Sequence, residues 1–225
     1  LLTLTGAGGS GKTRLAAEGM AREAHAGSRH GLWVELATVH DSTLIEDAVL
    51  SALGVSERSA TLPAVEQLVH AIGDRPLLLV LDNCEHLVDA CATLADTLLR
   101  DCRALRVLAT SRAVLGVSGE TAWLVPPLSL PELNDATPET SESVQLFVER
   151  ARAVKTTFAL TAENRASVAQ ICRQLDGLPL ALELAAARLR ALSTRQIAER
   201  LDDRFRLLTT GNRAALPRHQ TLRAA

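Results

Sequence analysis

The chain has 225 residues, of which 47% are hydrophobic and 22% charged, an ordinary balance for a globular protein with one large or two small domains. Its formal net charge of −2 argues against nucleic-acid binding by the chain as a whole. No stretch approaches the roughly 18 apolar residues of a membrane span, and no charged leader precedes an apolar core, so we expect a cytoplasmic location.

The chain opens on an apolar run, Leu1–Thr5, followed directly by the octet Gly6-Ala7-Gly8-Gly9-Ser10-Gly11-Lys12-Thr13. This octet fits the phosphate-binding pattern G-x-x-x-x-G-K-[ST], with a predicted strand before it and a predicted helix, Lys12–Ala26, after it. Glycines let backbone N–H groups turn around a phosphate, and the helix start adds unpaired N–H groups. Lys12 can reach the β- and γ-phosphates and the Thr13 hydroxyl can ligate Mg²⁺. The predicted nucleotide-binding segment extends to Arg14.

Apolar runs and helical patterns alternate as far as residue 127, which predicts βαβ units and a parallel sheet with flanking helices, an α/β P-loop NTPase fold. The further strands are predicted at Leu32–Leu36, Leu77–Leu81, Leu105–Ala109 and Ala122–Val125, and the helices at Thr43–Leu53, Pro63–Ile72 and His86–Asp101. A capping box, Thr43-x-x-Glu46, opens the first of these helices. The run Leu77–Leu81 is apolar at every position, which is typical of a central strand buried on both faces.

Polar residues that follow two of these strands are candidates for catalysis. A phosphate loop needs an acid for Mg²⁺ at the end of a neighbouring buried strand, and Asp82 follows Leu77–Leu81; the alternative is an Asp that only caps a turn. Glu85 and His86 are both placed to orient the attacking water, and both are equally well explained as the first turn of a helix. Arg112 ends the polar triplet Thr110-Ser111-Arg112, which follows the strand predicted at Leu105–Ala109. Its guanidinium suits the γ-phosphate, and the alternative is an arginine that only lies on the surface.

The composition changes after residue 127. A turn-rich linker is predicted at 128–141, and only helices follow it: Ser143–Val154, Glu163–Leu175, Leu180–Leu192 and roughly Arg195–Leu201, the last capped by Ser193 or Thr194. The predicted domains are therefore 1–127, the nucleotide-binding domain, and 142–212, a helical one.

The stretch from Arg188 onward is rich in arginine. It has two interpretations: a surface that binds nucleic acid, or a solvated helix face or domain interface. The four cysteines form no C-x-x-C pair, so we expect buried reduced thiols rather than a zinc site.

Four motifs occur in the order found in a known family: the phosphate loop, Leu77–His86, Ala109–Arg112 and Gly177–Leu182. Together they resemble the signal-transduction ATPases with numerous domains, the NB-ARC-like class. The sequences of these motifs most resemble those of bacterial transcription regulators with effector domains of the LuxR or SARP type. The segments Trp123–Leu128 and Leu201–Leu208 also resemble that group.

This resemblance implies ATP and ADP as ligands, with Mg²⁺ held by Thr13 and Asp82. It further implies Arg112 as the γ-phosphate sensor and Pro179 against the adenine, although a helix cap at Gly177 and a proline at a helix start explain that motif structurally. The helical half would be a lid-like domain, and 213–225 would begin a truncated winged-helix domain. Since the chain also starts inside a strand without Met, we expect a fragment of a longer protein.

The sequence therefore predicts an ATP/ADP switch with slow Mg²⁺-dependent hydrolysis, which controls self-association of a transcription regulator. ATP would shift the helical domain about a hinge at 127–141, and DNA would be bound only by an effector domain outside this chain. Asn83 stands where many family members have a second acid, so either Glu85 takes over the water or hydrolysis is slow. A P-loop small-molecule kinase and a scaffold that does not hydrolyse nucleotide are the alternatives.

Overall fold

A computed structural model describes residues 1–27, 29–55, 61–132 and 138–201 of the chain. The chain divides into two compact units, one formed by Leu1–Gly6 and Lys12–Val125 and the other by Ala7–Gly11 and Pro126–Ala225. None of the helices in the described ranges has the length and apolar character needed to cross a membrane.

The first unit is built on a parallel sheet, which confirms the predicted α/β fold. Its strands are β1 Leu2–Thr5, β2 His30–Glu35, β3 Leu77–Asp82, β4 Arg106–Thr110 and β5 Thr121–Leu124. They lie in the order β2-β3-β4-β1-β5, all pairs parallel. Every residue of β3 is buried, as its apolar composition predicts. The expectation that the acid follows a strand next to the phosphate loop's strand is wrong, because β4 lies between β1 and β3.

Four helices flank this sheet: α1 Lys12–His25, α2 Ile45–Ala52, α3 Ala64–Ile72 and α4 Val88–Asp101. The predicted capping box at Thr43 is wrong. The Asp41 carboxylate accepts hydrogen bonds from the Thr43 backbone N–H at 2.9 Å and the Thr43 hydroxyl at 2.7 Å, and a short 3-10 turn precedes α2. The segment predicted to open α4 is likewise a separate 3-10 turn, Cys84–His86.

Aliphatic side chains form the core on both faces of the sheet. The larger cluster packs α2, α3 and α4 on one face and includes Leu50, Leu68, Ile72, Leu79, Leu81 and Leu98. A smaller one packs α1 on the sheet and includes Leu4, Ala16, Leu78, Val80 and Leu108. Full burial of such a side chain contributes about 1.5–3 kcal/mol, so these clusters hold the carboxyl ends of the strands in fixed register.

The second unit contains α5 Glu142–Val154, α6 Arg165–Gln174 and α7 Pro179–Ala187 around a core with Phe147, Ile171 and Leu182. Residues 194–201 are helical, and Ser193 caps them: its hydroxyl accepts from the Gln196 N–H at 3.3 Å. The described part of the predicted linker is fixed to these helices, since the Leu128 N–H donates to the Gly177 carbonyl at 3.1 Å.

Some sequence predictions fall outside the described residues. They are residues 202–208 of the motif Leu201–Leu208, the start of a winged-helix domain at 213–225, the part of the Arg-rich stretch beyond residue 201, and linker residues 133–137. The domain boundaries 1–127, 128–141 and 142–212 remain predictions.

Candidate nucleotide-binding site

The loop between β1 and α1 has the backbone of a phosphate cradle. Gly6, Gly9 and Gly11 have φ angles of 139°, 78° and 96°, a region that L side chains rarely adopt. A Cβ at Gly9 would also lie 2.9 Å from the Cβ of Leu180. The Ser10 hydroxyl oxygen is buried and has no hydrogen-bond partner among the described residues. A buried hydroxyl needs a partner, and a phosphate oxygen would supply an acceptor for it.

Lys12 is the first residue of α1 and lies against the loop. Only 9% of it is exposed, and its amine donates to the Gly6 carbonyl at 3.0 Å. Burial lowers the pKa of Lys12, the positive charge of Arg112 lowers it further, and the carboxylates of Glu85 and Asp82 oppose the shift. A phosphate would restore the favourable solvation that burial removes, which suits this amine to bind an anion.

Thr13 and Asp82 lie together, as their predicted role as metal ligands requires. The Thr13 hydroxyl donates to Asp82 Oδ1 at 2.8 Å. Because its proton points at Asp82, the lone pairs of that hydroxyl are left for a cation. Hydroxyl and carboxylate oxygens fit Mg²⁺, which is commonly held by one or two such groups and by substrate phosphates. In the described ranges no three His, Cys, Asp or Glu residues cluster in a way that could hold a metal ion.

Glu85 and Arg112 are also brought together, from the turn after β3 and the loop after β4. Arg112 Nε lies 2.9 Å from Glu85 Oε1, with 57% of the Arg112 side chain and 23% of the Glu85 side chain exposed. An ion pair this exposed contributes only about 0–1 kcal/mol, so Arg112 can exchange Glu85 for another anion at little cost.

His86, the other candidate for the water, is engaged elsewhere. Its Nε2 lies 2.7 Å from the Val39 carbonyl oxygen, and its ring centroid lies 6.2 Å from that of His40. This bond ties the imidazole to the loop that follows β2. Of the two candidates, Glu85 is the one that lies beside Arg112.

The remaining predicted residues lie at the ends of helices. Arg14 is exposed on the first turn of α1. Pro179 is the first residue of α7, and the N–H of the next residue, Leu180, donates to the Gly9 carbonyl at 3.2 Å.

Cys84 is a buried free cysteine, as predicted. Its contact with the Cys91 thiol and its burial raise the pKa of Cys84, so its sulfur stays a protonated thiol.

Sequence reasoning assigned no role to Thr110, the last residue of β4. Its hydroxyl donates to Asp82 Oδ1 at 2.6 Å and accepts from the Asn83 N–H at 2.9 Å. The signal available in the sequence was a hydroxyl at the end of an apolar strand. What that hydroxyl bonds depends on the strand order, which the sequence pattern does not reveal.

Comparison with known proteins places this site in a family. A family model for the AAA domain matches residues 1–119. The chain is 46% identical, over 223 residues, to an uncharacterized protein of Mycobacterium tuberculosis, and the match covers 99% of this chain and 54% of that protein. It is 45% identical over 227 residues to a protein of the same organism that carries the provisional name of an HTH-type transcriptional regulator, and it covers 24% of that protein. The chain thus spans about half or less of the length of these relatives.

Two solved structures share the fold at low sequence identity. One is the Aeropyrum pernix ORC2 protein in ADPNP-ADP complexes, with a TM-score of 0.56, 13% identity, and 97% of this chain and 64% of that chain covered. The other is a signal transduction ATPase with numerous domains from Pyrococcus horikoshii that carries a tetratricopeptide repeat sensor. Its TM-score is 0.53 at 16% identity, with 90% of this chain and 30% of that chain covered.

Proposed function

The chain belongs to the AAA domain family, and we propose that it is an ATP/ADP-binding switch that hydrolyses ATP slowly and controls a transcription regulator. The main support for the proposal is that Lys12, Thr13 and Asp82 lie close together at the end of the glycine loop. Thr13 Oγ1 lies 2.8 Å from Asp82 Oδ1. The relative named as an HTH-type transcriptional regulator supports the regulatory part.

Each group has a separate task in this proposal. The loop N–H groups and the Lys12 amine neutralise the β- and γ-phosphates, and Thr13 and Asp82 hold the Mg²⁺. When bound, Mg²⁺ supplies charge stabilisation for the transferring phosphoryl group. Glu85 orients the attacking water, since the neighbouring Asn83 side chain is a neutral amide and cannot act as a base. Because Asn83 stands where many members of the resembled family have a second acid, we propose slow turnover.

Arg112 distinguishes ATP from ADP in this proposal. Only ATP offers a γ-phosphate, and the γ-phosphate competes with Glu85 for the guanidinium. ATP binding therefore releases the Glu85 carboxylate, whereas ADP leaves the pair intact. Nucleotides act as a switch only if they bind two arrangements of a protein with different affinity, and this exchange supplies such a difference.

The replacement Arg112→Ala is expected to weaken ATP binding by about tenfold or more and to leave ADP binding within about twofold, because one charge-assisted hydrogen bond is lost only with ATP. Calorimetric titration with MgATP and MgADP measures both. Arg100→Ala is the matched control, since Arg100 pairs with Asp96 on α4, outside the predicted site. Equal losses for the two nucleotides would show that Arg112 does not sense the γ-phosphate.

The nucleotide that co-purifies with the protein tests the proposed function itself. Bound ADP or ATP, identified by chromatography after denaturation, is the expected result. A protein that retains no nucleotide and binds none in titration would be a scaffold. Phosphorylation of a metabolite in the presence of MgATP would instead indicate a small-molecule kinase.

A further inference from the structure

The order of the strands places a buried hydroxyl between the two halves of the proposed site. β4 lies between β1, which leads into the phosphate loop, and β3, which leads to Asp82. The pairing of Leu81 with Ala109 sets the next residues, Asp82 and Thr110, side by side. Thr110 also pairs with Leu4 of β1, two residues before the loop. Thr110 is therefore the residue of β4 nearest to both Asp82 and the phosphate loop.

The hydrogen bonds of Thr110 are specific and use its one proton. Thr110 is 1% exposed, and its hydroxyl donates to Asp82 Oδ1 at 2.6 Å, the short distance expected when the acceptor is a carboxylate. A buried hydroxyl commonly bonds a backbone carbonyl, which would satisfy it equally well. Here the proton is committed to the carboxylate proposed to hold the metal.

Two hydroxyls thus fix one oxygen of Asp82. Thr13 donates to Oδ1 from the helix after the phosphate loop, and Thr110 donates to the same atom from β4. Among the described residues no hydroxyl reaches Oδ2 in this way, so Oδ2 is left for a cation or for a water bound to it. The carboxylate is held in one orientation without help from the metal.

The same hydroxyl also fixes the backbone that leads to Glu85. Asn83 is one of two non-glycine residues with positive φ in the described part of the chain, at 67°, and its N–H donates to Thr110 Oγ1 at 2.9 Å. A left-handed residue is strained unless its surroundings hold it. This residue turns the chain from β3 into the 3-10 turn Cys84–His86, which presents Glu85 to Arg112.

We propose that Thr110 is a positioning residue that aligns the metal-binding carboxylate of Asp82 and the turn that carries Glu85. This inference rests on the proposed nucleotide function and adds a residue to it. In this role Thr110 acts through Asp82 and through the Asn83 backbone. It makes the metal ligand and the water-orienting turn depend on one hydroxyl.

The test separates metal-dependent from metal-independent binding. ATP affinity is measured by calorimetry with Mg²⁺ and with a chelator, in the parent, in Thr110→Val and in Thr110→Ser. Valine keeps the shape of threonine without the hydroxyl, so we expect metal-free ATP to bind within about twofold of the parent. The gain in affinity on adding Mg²⁺ should fall about tenfold, the loss of one hydrogen bond to a charged group. Serine keeps the hydroxyl and should restore that gain.

The outcomes separate this inference from the function beneath it. If Thr110→Val keeps the full Mg²⁺ gain, or loses metal-free and Mg²⁺-dependent affinity equally, Thr110 has only a structural role and the inference is wrong. A parent that binds no nucleotide would overturn the proposed function and the inference with it. If the valine variant does not fold, Thr110→Ala removes the hydroxyl without placing a methyl group against the carboxylate, and the same comparison applies.

Discussion

Replacement of Lys12 by alanine is expected to weaken the binding of both ATP and ADP by about 10- to 150-fold. Hydrogen bonds to charged groups contribute roughly 1.5–3 kcal/mol, and Lys12 is the buried cation of the phosphate loop. Both nucleotides should be affected because both carry the β-phosphate. Calorimetric titration of the purified protein measures the two affinities.

Arg22→Ala is the control for this experiment. Arg22 lies on the same helix, is 80% exposed and pairs with Glu18 at 3.0 Å, so its loss removes a positive charge without touching the loop. Nucleotide affinity should stay within about twofold of the parent in this variant. Unchanged affinity in Lys12→Ala would show that the loop does not bind phosphates.

Replacement of Glu85 by glutamine is expected to slow ATP hydrolysis by about 100-fold, the lower end of what a general base contributes. ATP affinity should be unchanged or higher, since a neutral amide no longer competes with the γ-phosphate for Arg112. Phosphate release under single-turnover conditions measures hydrolysis, and calorimetry measures affinity. The two readouts distinguish a role in orienting water from a role in binding.

Asp96→Asn is the matched variant, because Asp96 forms an ion pair with Arg100 on the surface of α4. It removes a carboxylate from an Asp–Arg pair that lies outside the predicted site, and it should leave hydrolysis unchanged. If Glu85→Gln hydrolyses ATP at the rate of the parent, Glu85 only opens the turn, and the water is oriented by another group.

The fold of the first unit was predictable because its patterns are local. The apolar run Leu77–Leu81 is typical of a buried strand, and the glycine octet favours a loop with positive φ angles, which Gly9 and Gly11 have. Element ends were predicted less well, since side-chain caps decide them. Asp41 lies outside the predicted helix, and its carboxylate accepts hydrogen bonds from the Thr43 N–H and hydroxyl. As a result α2 begins at Ile45 instead of Thr43.

The candidate site was predictable as a set of residue types but not as a set of contacts. The spacing of the glycine octet predicted Lys12 and Thr13, and the position after an apolar strand predicted Asp82. The ion pair of Glu85 with Arg112 spans 27 residues and depends on β4 lying beside β3. The bridging role of Thr110 depends on the same strand order, and parallel strands leave no local signal of which neighbour they pair with.

The proposed switch requires that ATP and ADP select different arrangements of the protein. Sedimentation velocity measures this directly, with the protein saturated first with MgADP and then with Mg²⁺ and a non-hydrolysable ATP analogue. We predict a monomer with ADP and a larger species with the ATP analogue. The same sedimentation coefficient in the two samples, with both nucleotides bound, would contradict the proposed switch.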